Sequence, residues 1–157
     1  MPPARFLFFF SLLFSPVLAG QQNFSRMAIK MNAGRSPVVF SSQLEALHPI
    51  LLDARERAEF EVSHLEGAAW VGYNDFDLRR VWLLPRDQPI VVYCSVGYRS
   101  SLIAERMQEA GFSRVSSLWG GIFNWYNEQR LVVNASGPTE NIHPYNEEWS
   151  RWIHPRR

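Results

Sequence analysis

The chain has one cysteine and four histidines among its 157 residues. A single cysteine excludes an intramolecular disulfide, a structural zinc site built on thiolates, and the resolving thiol of a thioredoxin-like or arsenate-reductase-like exchange. His48, His64, His143 and His154 are scattered, with no H-x-x-H pair, so no metal is implied. No apolar run reaches the roughly 20 residues of a membrane-spanning helix. Lys and Arg number 16 against 15 Asp and Glu and form no stripe, which excludes the usual electrostatic footprint of a nucleic-acid partner. No internal repeat is present.

The lone cysteine stands in an informative place. Ile90-Val91-Val92-Tyr93 is an apolar, β-branched run suited to a buried strand, and it runs into Cys94. Ser95, Val96, Gly97, Tyr98, Arg99 and Ser100 follow as a short loop. Beyond them Leu102, Ile103, Met107 and Ala110 recur at helical spacing, with Glu105, Arg106, Gln108 and Glu109 on the other side. The pattern is strand, tight loop, helix. Such a loop gathers backbone N–H groups that lack intrahelical partners, and these stabilise an anion. A Cys94 thiolate is such an anion, and the helix dipole together with Arg99 favours it. A cysteine that serves only as core packing explains neither Gly97 nor Arg99.

At the N-terminus, Arg5 precedes the run Phe6 to Phe14, and Ser15-Pro16-Val17-Leu18-Ala19 closes with small residues. This is the pattern of a secretory signal peptide over residues 1–19, cleaved after Ala19 or after Gly20. The run is too short for a stable membrane anchor. The expected location is therefore exported, periplasmic or secreted. Removing Arg5 with the leader balances the remaining charge. A lone thiol in an oxidising compartment is a liability, which is easier to understand if the thiol has a function.

Residues 20–36, interrupted by Asn32, Gly34 and Pro37, read as a mobile spacer. One domain is expected over 37–131. Val38-Val39-Phe40, Pro49 to Asp53, Ala68 to Gly72, Ile90 to Tyr93 and Arg114 to Leu118 suit strands. Helical segments are expected at Ser41 to Leu47, Arg55 to Val62, Phe76 to Leu84, after the Cys94 loop, and at Gly121 to Asn127. This alternation predicts an α/β fold with a parallel sheet of about five strands and helices on both faces. Asp53 and Arg55 then lie at the carboxyl end of their strand, on the edge where the Cys94 loop also emerges. Asp53 fits a structural cap there, and Arg55 a second cation for an anionic ligand. Residues 132–157 form a C-terminal extension in which Glu147 to Ile153 is expected to make a short helix packed on the domain. Asn23-Phe24-Ser25 and Asn134-Ala135-Ser136 satisfy the N-glycosylation pattern.

Several motifs resemble the rhodanese-like sulfurtransferase family. Cys94 to Arg99 is similar to its C-x4-R loop after a V-V-Y strand. Leu51 to Glu56 looks like its D-x-R-E motif, and Ser63 to Ala68 its G-H-I-x-G-A motif, with Ser63 replacing the first glycine. Ala110-Gly111-Phe112 and Leu118 to Trp125 resemble its A-G-F and G-G-x-x-x-W elements. Order and spacing over about residues 38–128 make a chance match improbable. The resemblance implies a rhodanese-like fold and sulfur transfer through a Cys94 persulfide, with no cofactor. Its implied partners are a small anionic donor such as thiosulfate and a thiol or cyanide-like acceptor, with a protein acceptor also compatible. The N–H groups from Ser95 to Ser100 would cradle the persulfide, and Arg99 with Arg55 would favour the donor. His64 fits a hydrogen-bonded structural histidine beside the site.

Two alternatives stand beside this reading. Cysteine phosphatases use the same strand, loop and helix, but with a C-x5-R loop one residue longer and a histidine where this chain has Tyr93. A non-catalytic binding module of the same fold is the other, and modules of that kind often lack the cysteine. The leader makes a separate prediction: chain exported by its host should begin at Gly20 or Gln21 on N-terminal sequencing, and an intact Met1 chain in the membrane fraction would overturn it.

Overall fold

The computed structural model describes residues 16–154. The apolar run Phe6 to Phe14 of the expected signal peptide lies outside the described residues. Within the described residues no helix is long and apolar enough to cross a membrane. The elements, in chain order, are α1 (Pro16–Asn32), β1 (Val38–Val39), α2 (Leu44–Leu47), β2 (Ile50–Asp53), α3 (Arg57–Val62), β3 (Ala69–Trp70) and β4 (Ile90–Tyr93). They continue with α4 (Tyr98–Glu109), β5 (Val115–Leu118), α5 (Gly121–Asn127), β6 (Val132–Asn134), β7 (Gly137–Thr139) and α6 (Glu147–Ser150).

Five strands form one parallel sheet in the order β1-β5-β4-β2-β3. This is the α/β architecture expected from the alternation of apolar runs. β4 is central and all four of its residues are buried, as a strand covered on both faces requires. Side chains that alternate along it feed two cores. Val91 and Tyr93 join Leu118, Ile122 and Phe123 in one, while Ile90 and Val92 join Ile103, Met107 and Phe112 in the other. In the parallel register Asp53 of β2 lies beside Tyr93 of β4. Both strands therefore deliver their next residues, Ala54 and Cys94, to the same edge.

The expected mobile spacer at 20–36 is corrected by α1. Phe24, Met27, Ala28 and Met31 stand at i, i+3, i+4 and i+7, the stripe of an amphipathic helix. Phe24 and Ala28 are buried in the first core, with Met27 and Met31 packed against it. The residues that look like breakers end the helix: Asn32 donates to the Ser36 carbonyl at 3.2 Å, and Gly34 turns the chain with φ 70°. The expected cleavage points after Ala19 and Gly20 fall within α1, ahead of its buried stripe.

The expected helix over Phe76 to Leu84 is also corrected. Only a single 3₁₀ turn forms at Leu78–Arg80, capped by Asp77, whose carboxylate accepts the Arg79 N–H at 2.9 Å. Trp82 and Leu83 are exposed, so the segment has no continuous apolar face to bury. The extension at 132–157 adds a feature the sequence reading did not contain, the antiparallel hairpin β6–β7. Val132 is fully buried, and His64 bridges Val133 through two backbone hydrogen bonds of 2.8 and 2.9 Å. The structural boundary at 131 is thus not a break in packing. Trp149, Trp152 and Ile153 lie on the first core, and the Trp152 ring meets Phe24 edge-on at 6.1 Å.

Phe24 consequently joins the two chain ends to the core. Phe24→Ala should cost about 3 kcal/mol, read as a lower urea midpoint with an unchanged slope. A loss below about 0.5 kcal/mol, the range of surface substitutions, would show that α1 is not part of the cooperative fold.

Candidate functional site

Cys94 leaves β4 and is 1 % exposed. Gly97, at φ 112°, reverses the chain and caps α4. Its N–H donates to Cys94 Sγ at 3.1 Å, and the Ser100 hydroxyl lies 3.6 Å from the same sulfur. Ser100 in turn is 2.8 Å from the Ser117 hydroxyl on β5. Donors that converge on sulfur suit a negatively charged atom.

The outer side of the loop is held by α5. The N–H of Ile122 donates to the Cys94 carbonyl at 2.9 Å, and that of Phe123 to the Ser95 carbonyl at 3.1 Å. Gly121 permits this approach, since it has φ 58° and a Cβ there would sit 2.3 Å from the Cys94 carbonyl oxygen. With these carbonyls tied outward, the peptide N–H groups that follow are left for the inside of the loop.

Arg99 and Arg55, both expected to hold an anion, have different fates. Arg99 lines the pocket beside Cys94, yet its guanidinium is clasped by Glu59 of α3 at 2.6 and 2.8 Å, with Ser95 Oγ at 3.0 Å. Burial opposes charge on Glu59, but the hydrogen bonds and charge of Arg99 more than reverse this and hold its carboxyl below the usual range. Burial likewise opposes charge on Arg99, but Glu59 and Cys94 raise it above the ordinary arginine value.

Arg55 is corrected from ligand contact to structural support. It is fully buried and grips Asp53 through Nε at 3.0 Å and Nη2 at 2.7 Å, and Nη2 also reaches the Ser63 carbonyl at 2.5 Å. A guanidinium buried without its partner is costly, so an arginine two residues from a buried aspartate turns to it. Asp53 also accepts the Arg55 backbone N–H at 2.9 Å, the local cap expected of it. Tyr93 completes the cluster. Burial raises its phenol well above the ordinary value, and the neutral oxygen accepts the Leu65 N–H at 3.1 Å. His64 lies with Phe60, its Nδ1 2.9 Å from the Phe60 carbonyl and its ring stacked at 3.9 Å.

A cavity of about 360 Å³ opens over the sulfur. Cys94, Ser95, Val96, Tyr98 and Arg99 line one side, and Glu56, Tyr73 and Asn74 another. Met31 of α1, Tyr145 and Trp149 of α6 complete it. The sequence reading does not bring Glu59, Ser117 and Gly121 to the site, nor these last three. The periodicity of α1 was the available signal for Met31.

Residues 36–128 match the family described as Rhodanese-like domain. The chain is 31 % identical over 86 residues to an adenylyltransferase and sulfurtransferase of Meyerozyma guilliermondii, spanning 50 % of this chain and 20 % of that protein. It is 30 % identical over 95 residues to a tRNA uridine(34) hydroxylase of Bacillus pumilus, spanning 57 % of this chain and 30 % of that one. The chain thus spans less than a third of either relative. Its fold is similar to that of a thiosulfate sulfurtransferase from Pseudomonas aeruginosa, with a TM-score of 0.60 and 20 % identity over 82 % of this chain and 26 % of that one. With the family match spanning more than half its length and the five-stranded parallel sheet beneath the Cys94 loop, this chain belongs to the rhodanese-like domain family.

Proposed function

We propose that the protein is an exported sulfurtransferase that carries a sulfane sulfur as a Cys94 persulfide. The observation that carries this reading is the sulfur itself, set in a loop whose Gly97 N–H and Ser100 hydroxyl face it, at the wall of a cavity large enough for a small donor. Membership of a family with sulfurtransferase relatives supports it. The leader pattern at residues 1–19 supports export.

In the first half-reaction the Cys94 thiolate attacks the outer sulfur of a donor such as thiosulfate. The new Sγ–S bond forms as the donor's S–S bond breaks, and sulfite leaves with the bonding pair. In the second, an acceptor thiolate or cyanide attacks the terminal sulfur, and Sγ departs as thiolate. Each half exchanges one anion for another, so no redox partner or cofactor is required. The positive end of the twelve-residue helix α4 and the loop N–H groups stabilise the charge that moves onto the outer sulfur.

Intact mass should show the gain of one sulfur on addition of a sulfane donor and its loss on addition of cyanide, and Cys94→Ser should abolish the gain. Loading that persists in Cys94→Ser would overturn the proposal, because the chain has no second cysteine. Gly121→Ala should slow loading on the order of 100-fold, as misplacement of a nucleophile by about 1 Å does. Its far-UV circular dichroism should stay that of the folded protein. Loading at the native rate would show that the contact from α5 does not position the loop.

A further inference from the structure

The walls and charges of the cavity narrow the donor, on the premise that Cys94 carries sulfur as proposed above. The two ionised side chains that line the cavity are Glu56 and Arg99. Arg99 is already matched by Glu59, which engages both of its terminal nitrogens. Glu56 adds a further negative charge, and its Oε1 accepts from Asn74 at 2.8 Å. Arg35, which does not line the cavity, holds its guanidinium carbon 5.5 Å from the Tyr98 ring centre and donates to the Met31 and Asn32 carbonyls at 3.5 and 3.4 Å. A dianion entering here finds a paired cation and a carboxylate. Apart from Asn74, Ser95 and Cys94 itself, the remaining wall is largely apolar and ring-rich: Met31, Tyr73, Val96, Tyr98, Tyr145 and Trp149.

Three of these six, Met31, Tyr145 and Trp149, lie outside residues 36–128. Tyr145 is the most constrained of them. Its backbone is left-handed at φ 68°, a conformation unfavourable for a residue with a Cβ. His143 Nδ1 accepts its N–H at 3.0 Å, and Asn146 next to it caps α6 by accepting the Trp149 N–H at 3.1 Å. The turn sets the Tyr145 ring 5.1 Å from the Arg99 guanidinium carbon, where it covers part of the cation. The chain ends thus bring apolar surface to the sulfur and shield its nearest positive charge.

We infer that the site takes a singly charged sulfane-sulfur donor whose leaving group is an apolar, ring-sized organic body, seated between Met31, Tyr145 and Trp149, in preference to dianionic thiosulfate. For an arenethiosulfonate, Sγ attacks the terminal sulfur, the bond from that sulfur to the sulfonyl sulfur breaks, and the arenesulfinate leaves with the pair. Two anions enter the step and two leave it.

The test is the rate of Cys94 persulfide formation on the full chain, followed by intact mass, with benzenethiosulfonate, methanethiosulfonate and thiosulfate. Each rate is divided by that of free cysteine with the same compound, which removes intrinsic reactivity. Benzenethiosulfonate should exceed both others by at least about tenfold, the discrimination that a few added carbons give in an apolar pocket. Tyr145→Ala and Trp149→Ala should each lower its advantage over methanethiosulfonate at least about threefold. Tyr145 is half exposed, so that variant remains readable should loss of Trp149 disturb packing. Equal corrected rates for the three donors, or an advantage untouched in Tyr145→Ala, would overturn this inference and leave the sulfurtransferase reading standing. Failure of all three to load Cys94 would overturn both.

Discussion

The contact on which the site depends is between two backbones. The first amides of α5 take the carbonyl oxygens of Cys94 and Ser95, and no side chain fits between them. A peptide unit cannot turn its carbonyl one way without turning its N–H the other. Fixing those two carbonyls therefore fixes the interior of the nucleophile loop. The remainder of the fold supplies the conditions for the contact: β4 carries Cys94 to the sheet edge, β5 carries Gly121 to the same edge, and the parallel register holds the two strands level. Gly97 finishes the turn from the inside, because its φ of 112° is unfavourable for any residue with a Cβ.

Beneath the loop, buried charge is arranged as two pairs rather than one cluster. Asp53 and Arg55 pair below the edge against the neutral Tyr93, and Glu59 and Arg99 pair beside the sulfur. Breaking either pair leaves a desolvated ion, so each arginine is committed to its carboxylate and unavailable as a free cation. Glu59 has a second use. It accepts the Glu56 N–H at 3.0 Å at the start of α3, so the helix that presents Glu56 to the cavity is fixed by the same side chain that holds Arg99. The electrostatic character of the pocket is thus a property of α3 as much as of the loop.

What was legible in the sequence was what is local. The strand into Cys94, the small residues after it and the helix beyond occupy one short stretch, and α5 was readable to its exact bounds from a glycine pair and its apolar residues. The sheet followed from short apolar runs separated by turn signals. Arg55 misled because a cation at a strand's carboxyl end is chemically attractive, while the aspartate that captures it is two residues away. Residues 20–36 mislead because terminators that lie behind a helix look like interruptions within it. The relation of Glu59, Tyr145 and Trp149 to Cys94 is not legible in the sequence, because it exists only after strands distant in sequence have paired. The hairpin at β6 was hidden by short strands carrying Asn and Pro, whose stability comes from Val132 entering the core rather than from propensity.

The edge-on contact between Phe24 and Trp152 has a consequence for the order in which the molecule is completed. Phe24 precedes the nucleophile loop in the sequence and Trp152 follows it, and the wall residues Met31 and Trp149 lie on the same two segments. A growing chain possesses its nucleophile, its loop and the helix behind it before residues 145–153 can join the first helix against the core. The segment that carries Trp152 to Phe24 brings Trp149 to the cavity as well. The segment at 145–153 therefore finishes the wall of the pocket, and a chain without it leaves the cavity and the Phe24 ring less covered.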